Sequence, residues 1–285
     1  MSTLHLDRGQ GRLGYDVQGE GPLVVCVPGM GDVRSVFRFT VPALRAAGYR
    51  VATMDLRGHG DSSDGFDRYD DTGIATDLLA LVDHLGGGPA VVVGHSLGTG
   101  AGILAALAEP TRISGLALIG PFVREPDFSP LARLAYRLML LRPWGPAVWA
   151  GYYRRFHPGR PPADLAEHQA RIRRSLGTDD HWRSFVRTVR SAMRDRASAR
   201  KLTELRTPTL VVMGEKDTDF PDPPAEGRYA AAQLRADLLL VPDAGHYPMT
   251  EYPEVVNPAL IRFADRVTTP GGGRTRISRP DRATR

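Results

Sequence analysis

Cys26 is the only cysteine in this 285-residue chain. One thiol closes no internal disulfide and builds no cysteine-rich metal site, and its place inside the apolar run at residues 23–27 marks it as a buried packing residue. Lysine is almost as scarce: 35 of the 37 basic residues are arginine, a bias that reflects genomic codon usage as much as function. No apolar run approaches the roughly 18 residues of a membrane span. The first ten residues lack the apolar stretch of a secretory signal, so a cytoplasmic protein is expected. With 42% hydrophobic and 24% charged residues the composition is that of a globular domain, which excludes disorder over the whole chain.

The net charge of +5 raises nucleic-acid binding as an option, and its distribution argues against it. Residues 268–285 carry five Arg and one Asp, residues 121–206 carry eighteen basic and eight acidic residues, and the remainder is acidic by nine charges. The excess therefore belongs to an Arg-rich insert and a tail attached to an acidic body. No nucleic-acid partner is expected.

Short β-branched runs alternate with helix-length patterns, the mark of βαβ units around a mostly parallel sheet. Strands are expected at residues 4–7, 14–18, 23–27, 50–54, 90–93, 113–119, 209–213 and 237–241. Helices are expected over about 35–47, 77–85, 99–108 and 251–267, with Pro258 kinking the last or shifting its boundary. Residues 121–206 hold amphipathic helical text without a convincing strand and read as an insertion. The domain reading is a core of residues 1–120 and 207–267, a helical cap over 121–206, and a disordered basic tail over 268–285.

Gly94-His95-Ser96-Leu97-Gly98 stands between a buried strand and a small-residue helix, the context in which Gly-x-Ser-x-Gly forms a sharp nucleophile turn. A serine hydroxyl needs a histidine base and an acid to orient it. His246, just after the last strand, is the best placed of the eight histidines. His95 should point away from the serine, and His59 reads as a loop anchor. The acid should follow the preceding strand, where Asp217 is preferred and Asp219 is the alternative. Donors for an oxyanion are expected from the Leu97 amide and from Met30, in the Gly29-Met30-Gly31 turn after an earlier strand. That turn lacks the Lys-Ser/Thr ending of a phosphate-binding P-loop.

Taken in order, Val27-Pro28-Gly29-Met30-Gly31, Asp55-Leu56-Arg57-Gly58-His59-Gly60-Asp61-Ser62, Gly94-His95-Ser96-Leu97-Gly98, Gly214-x-x-Asp217 and Gly245-His246 resemble the α/β-hydrolase superfamily over about residues 4–267. The resemblance implies an α/β fold with an eight-stranded sheet and a triad of Ser96, Asp217 and His246. It departs from the usual pattern at Pro28, where a histidine commonly precedes the oxyanion-turn glycine. Related epoxide hydrolases and haloalkane dehalogenases use an aspartate at the elbow, so Ser96 points away from both. The expected activity is hydrolysis of a carboxylic ester or related acyl bond of a small, largely apolar molecule, with no metal or organic cofactor. Acyl transfer and carbon–carbon bond hydrolysis use the same triad and stay open, as does a non-catalytic ligand-binding homologue.

The insert resembles the helical cap of this superfamily and should roof the site. Its ten aromatics, all three Trp among them, could line an apolar pocket or hold the cap on the core. Its arginines read either as a solvated surface or as recognition of a substrate carboxylate or phosphate.

Overall fold

The computed structural model describes residues 3–86, 88–125, 129–194 and 196–269. Strands β1 (Leu4–Asp7), β2 (Arg12–Gln18), β3 (Leu23–Val27), β4 (Arg50–Met54), β5 (Ala90–His95), β6 (Ile113–Ile119), β7 (Thr209–Gly214) and β8 (Asp237–Val241) form one sheet in the order β1-β2-β4-β3-β5-β6-β7-β8. The β1–β2 and β2–β4 pairings are antiparallel and every other pairing is parallel. β3, β5 and β7 are buried at every position, as expected of strands covered on both faces.

The period-two alternation of these strands sends their side chains into two cores. Val24, Cys26, Val91, Val93, Leu210 and Val212 face one, and Val25, Val27, Val92, Leu116, Leu118 and Val211 face the other. Burial pushes the Cys26 thiol far above its ordinary range, in keeping with an inert packing role. Helices α1 (Thr40–Ala46), α2 (Asp71–His84) and α3 (Leu97–Ala108) follow β3, β4 and β5. The insert supplies α4 (Pro130–Met139), α5 (Gly145–Tyr152), α6 (Leu165–Ser175) and α7 (Asp179–Ala192), with short 3-10 turns at Tyr153–Phe156 and Ala197–Glu204. No strand occurs there among the described residues. The chain closes with α8 (Pro223–Leu234), the single turn α9 (Pro248–Glu251) and α10 (Pro253–Thr268).

All eight expected strands form, five of them with the expected bounds. The helices depart from expectation wherever proline or a cap decides the end. The helix expected over 35–47 is a 3-10 turn, Arg34–Phe37, followed by α1. Pro42 thereby falls in the first turn of α1, where its missing N–H leaves no hydrogen bond unmade. α2 begins earlier than expected, at Asp71, because the Asp70 carboxylate accepts from the Gly73 N–H and caps it. The final helix is split at Tyr252 by Pro253, which opens α10, and Pro258 lies inside α10 rather than at its boundary. α8, absent from the expected elements, is capped by Asp222, whose carboxylate accepts from the Ala225 N–H at 2.9 Å. Thr268, assigned to the tail, is the last residue of α10, and residues 270–285 lie outside the described residues.

β3 has β4 on one side and β5 on the other, so chain direction across the sheet reverses between β3 and β5. In open α/β sheets a crevice at the carboxyl ends of the strands opens at such a switch point. Here those two carboxyl ends lead into Pro28–Gly31 and into Ser96.

Candidate active site

Ser96 occupies the tight bend between β5 and α3 with φ 51° and ψ −117°, outside the ordinary range of a residue with a side chain. The bend is held by the Ser96 N–H donating to the Ile119 carbonyl at 2.9 Å and the Thr99 N–H donating back to the Ser96 carbonyl. A Cβ at Gly98 would lie 2.4 Å from the Val27 carbonyl oxygen and one at Gly94 would lie 2.7 Å from the Gly98 oxygen. Glycine at both positions is therefore a packing requirement of the bend. Gly29 comes close enough that a Cβ there would approach the Ser96 Cβ to 2.9 Å, which sets the turn after β3 directly against the serine.

Asp217 and His246 arrive from the ends of β7 and β8. The His246 Nδ1–H donates to Asp217 Oδ2 at 2.7 Å with both side chains buried, leaving Nε2 as the free nitrogen. Asp219, the alternative acid, lies on the other side of the ring: its Oδ2 is 3.6 Å from Nε2. Ser96 and Asp219 line one cavity, and Phe122, also in its wall, meets the His246 ring at 5.9 Å. Ser96 thus shares a cavity wall with Asp219, which faces Nε2, and with Phe122, which meets the His246 ring. Burial alone would lower the imidazole pKa, but the Asp217 and Asp219 carboxylates outweigh it and hold the ring up at about 9. Burial pushes the Asp219 carboxyl upward in turn.

The backbone around His246 is fastened from several directions. Its N–H donates to the Phe156 carbonyl at 2.9 Å, and its own carbonyl accepts from His95 Nε2 at 2.9 Å. The His95 ring is thus turned onto the His246 loop. It packs 4.7 Å from the His246 ring, and burial lowers its pKa to about 3, so it stays neutral. Glu251 accepts from the Gly245 N–H at 2.8 Å and from the Gly159 and Arg160 amides at 3.2 Å. It ties the His246 loop to the insert, and its burial raises the carboxyl to about 7.

Met30 and Leu97 both face the cavity, and neither amide donates to another described residue. The Gly31 N–H donates to His59 Nε2 at 3.1 Å while His59 Nδ1–H donates to the Arg57 carbonyl at 2.8 Å. His59 is a loop anchor as expected, neutral because burial lowers its pKa to about 4. Asp32, fully buried, accepts from the Tyr153 hydroxyl and from His168 Nε2, each at 2.8 Å. Burial would raise its carboxyl, yet the partnership with His168, Val33 and Tyr153 prevails and keeps it below its ordinary value. Two insert side chains are thereby clasped to the residue that follows the Gly29–Gly31 turn.

The cavity measures about 130 Å³. Five insert aromatics, Phe122, Tyr136, Trp149, Tyr152 and Phe156, contribute to its wall, whereas Tyr153, Trp182 and Phe185 are buried in the core. Both readings of the aromatics thus hold, and Trp149 and Phe156, in the cavity wall and in the core alike, serve both. Trp144 is exposed, and Phe128 lies outside the described residues. Of the insert's basic residues, Arg196 is the one in the wall, with its guanidinium 4.8 Å from the Phe122 ring. Asp217, Asp219 and His246 are the one group among the described residues with ligand atoms close enough for a metal ion, all within 4.8 Å, and Asp217 already holds the imidazole N–H.

Sequence reasoning missed Asp32, Glu251 and His168 as parts of this site. Asp32 stood inside a motif already singled out, and a carboxylate beside an expected oxyanion turn was the available signal. Glu251 and His168 carry no local signal, since their partners are 6 to 136 positions away.

The profile of the Alpha/beta hydrolase family matches residues 24–259. The chain is 30% identical over 256 residues to the dihydrolipoyllysine-residue acetyltransferase component of an acetoin cleaving system from Pseudomonas putida. That match covers 87% of this chain and 65% of the other, so the chain spans about two thirds of that protein's length. It is 29% identical to the pimeloyl-[acyl-carrier protein] methyl ester esterase of Xanthomonas oryzae pv. oryzae, with 88% and 98% of the two chains covered. Among solved structures, a thermophilic esterase from Thermogutta terrifontis superposes with a TM-score of 0.77 at 27% identity, covering 94% of this chain and 100% of that one. The eight-stranded sheet, the strand-end loops and the extent of the profile match together establish that the chain belongs to the alpha/beta hydrolase family.

Proposed function

We propose that this hydrolase cleaves a carboxylic ester or related acyl bond of a small, largely apolar molecule through an acyl-enzyme on Ser96. The observation that carries the reading is the buried His246–Asp217 pair, 2.7 Å apart, whose Nε2 lies 3.6 Å from Asp219, a residue that shares a cavity wall with Ser96. Ser96 Oγ attacks the carbonyl carbon as its proton passes to His246 Nε2. The Met30 and Leu97 amides receive the oxyanion. His246 then protonates the departing alkoxide, and the same nitrogen takes a proton from water as hydroxide attacks the acyl-serine and frees the acid. His246 gives that proton to Ser96 Oγ as the acid leaves, and the completed cycle returns the protein to its starting protonation state.

Asp217 holds the imidazole in the tautomer this sequence needs and stabilises the imidazolium that forms. Residues 121–206 act as the cap, with the cavity aromatics choosing the substrate. The relative from Xanthomonas oryzae is named for ester cleavage and the Thermogutta protein is an esterase, which supports the ester reading.

The test is labelling by a fluorophosphonate probe, followed by intact mass and peptide mapping. One adduct on Ser96, absent from Ser96→Ala, is the expected result. Labelling elsewhere, or none, would sink the reading. An activated aryl ester turned over at equal rate with and without an added alcohol separates hydrolysis from acyl transfer.

A further inference from the structure

Eight large apolar side chains are exposed among the described residues, and six of them, Leu131, Leu134, Leu138, Leu141, Trp144 and Val148, fall within eighteen consecutive positions. The clustering follows from the design of α4. Ala132, Tyr136 and Met139 are half-buried on its inner face, where Tyr136 contributes to the cavity wall. Leu131, Leu134 and Leu138, at helical spacings of three and four, make an outer stripe, and Leu131 is 75% exposed. No residue of α4 is fully buried.

Along the chain the charge of this stretch has one sign, with Asp179 of α7 meeting it at Arg142. From residue 128 to 163 the chain contains six arginines and no aspartate or glutamate. Arg142 is turned to Asp179 and Arg160 to Glu254, whereas Arg133 and Arg137, exposed beside the stripe, have no carboxylate partner among the described residues. An apolar stripe of this length on a soluble surface marks an interaction site. A second copy docking by the same face would bring the two arginine rows together, since a two-fold interface presents the same patch from both sides. An anionic lipid surface satisfies both the leucines and the arginines.

We propose that this face of the molecule seats α4 on an anionic bilayer, with the leucine stripe at the acyl boundary and Arg133 and Arg137 on lipid phosphates. The helix lies in the interface and does not cross it. Its inner face then holds the cavity wall against the membrane, which gives an apolar substrate a route from lipid to cavity. The surface is independent of the triad chemistry, so its test stands whether or not Ser96 is a nucleophile.

The experiment is co-sedimentation of the full chain with vesicles of phosphatidylcholine alone and of phosphatidylcholine with phosphatidylglycerol, together with tryptophan emission to follow Trp144. The expected result is binding to the phosphatidylglycerol vesicles, a blue shift on binding, and a weakening of about tenfold or more in Leu134→Ser/Leu138→Ser and in Arg133→Glu/Arg137→Glu, with each variant's melting temperature kept. Absence of binding to anionic vesicles overturns the proposal, as does equal binding by folded variants. A wild-type dimer that either variant converts to monomer, measured by sedimentation velocity without lipid, assigns the face to a second copy and also overturns it.

Discussion

At the scale of single residues, the proposed mechanism makes the protonation of His246 govern what the site can do. A general base must be neutral, and two carboxylates hold this imidazole up at about 9. We therefore expect kcat/KM for an activated ester to rise with pH and level off above about 9. Asp219→Asn removes the charge facing Nε2, so the rise should move to lower pH, while activity at its plateau is retained. A limb that stays in place would show that Asp219 does not act on the ring. Asp217→Asn is a different lesion, because an amide can hold the wrong tautomer. It should cost about 10³- to 10⁴-fold in kcat, and near-wild-type turnover would move the acid's role elsewhere. The choice between these two aspartates was half-legible in the sequence: both sit in the loop after β7, and only the pairing at Nδ1 separates them.

At the scale of elements, the chain's strands could be read with little loss because burial on both faces writes an uninterrupted apolar run. Helix ends were harder. α8 has a good start signal, Asp222 followed by Pro223 and Pro224, but four alanines dilute its apolar pattern and leave no clear helical period. The loops of the site depend on contacts between elements, which no local pattern encodes. The Asp32 clasp is the clearest case, joining the turn after β3 to Tyr153 and to α6. Tyr153→Phe keeps the ring packing and removes one of the donors to a buried carboxylate, which should cost about 1–3 kcal/mol in a denaturant titration. No change would mean that His168 and the backbone alone satisfy Asp32.

At the scale of the whole molecule, the buried titrating groups shape the response to pH. His59, His95 and His157 have folded pKa values lowered to about 4, 3 and 4, so the unfolded chain takes up protons first as pH drops below 6.5, and stability falls. Glu251, raised to about 7, opposes one of these between its unfolded value of 4.5 and 7. His246 acts on the other flank: its contribution is full below 6.5 and is lost as pH rises through about 9. Each unopposed proton is worth about 1.4 kcal/mol per pH unit. Melting temperature should therefore peak near neutrality, with the steeper decline on the acid side. A profile that improves steadily toward pH 5 would contradict the burial of these histidines.

The position of residues 121–206 in the sheet has a further result. They depart from the carboxyl end of β6 and rejoin at β7, its parallel neighbour. A parallel pair requires a return leg back to the starting edge of the sheet, and the 3-10 turn Ala197–Glu204, lying against α3, provides it. Everything from α4 to α7 is then an excursion between two neighbouring strands, fastened to the body through side chains and loops and not through the ladder. A lineage could trade that excursion for another and acquire a new diet of molecules while leaving every ladder bond beneath it untouched, provided the homeward stretch was kept.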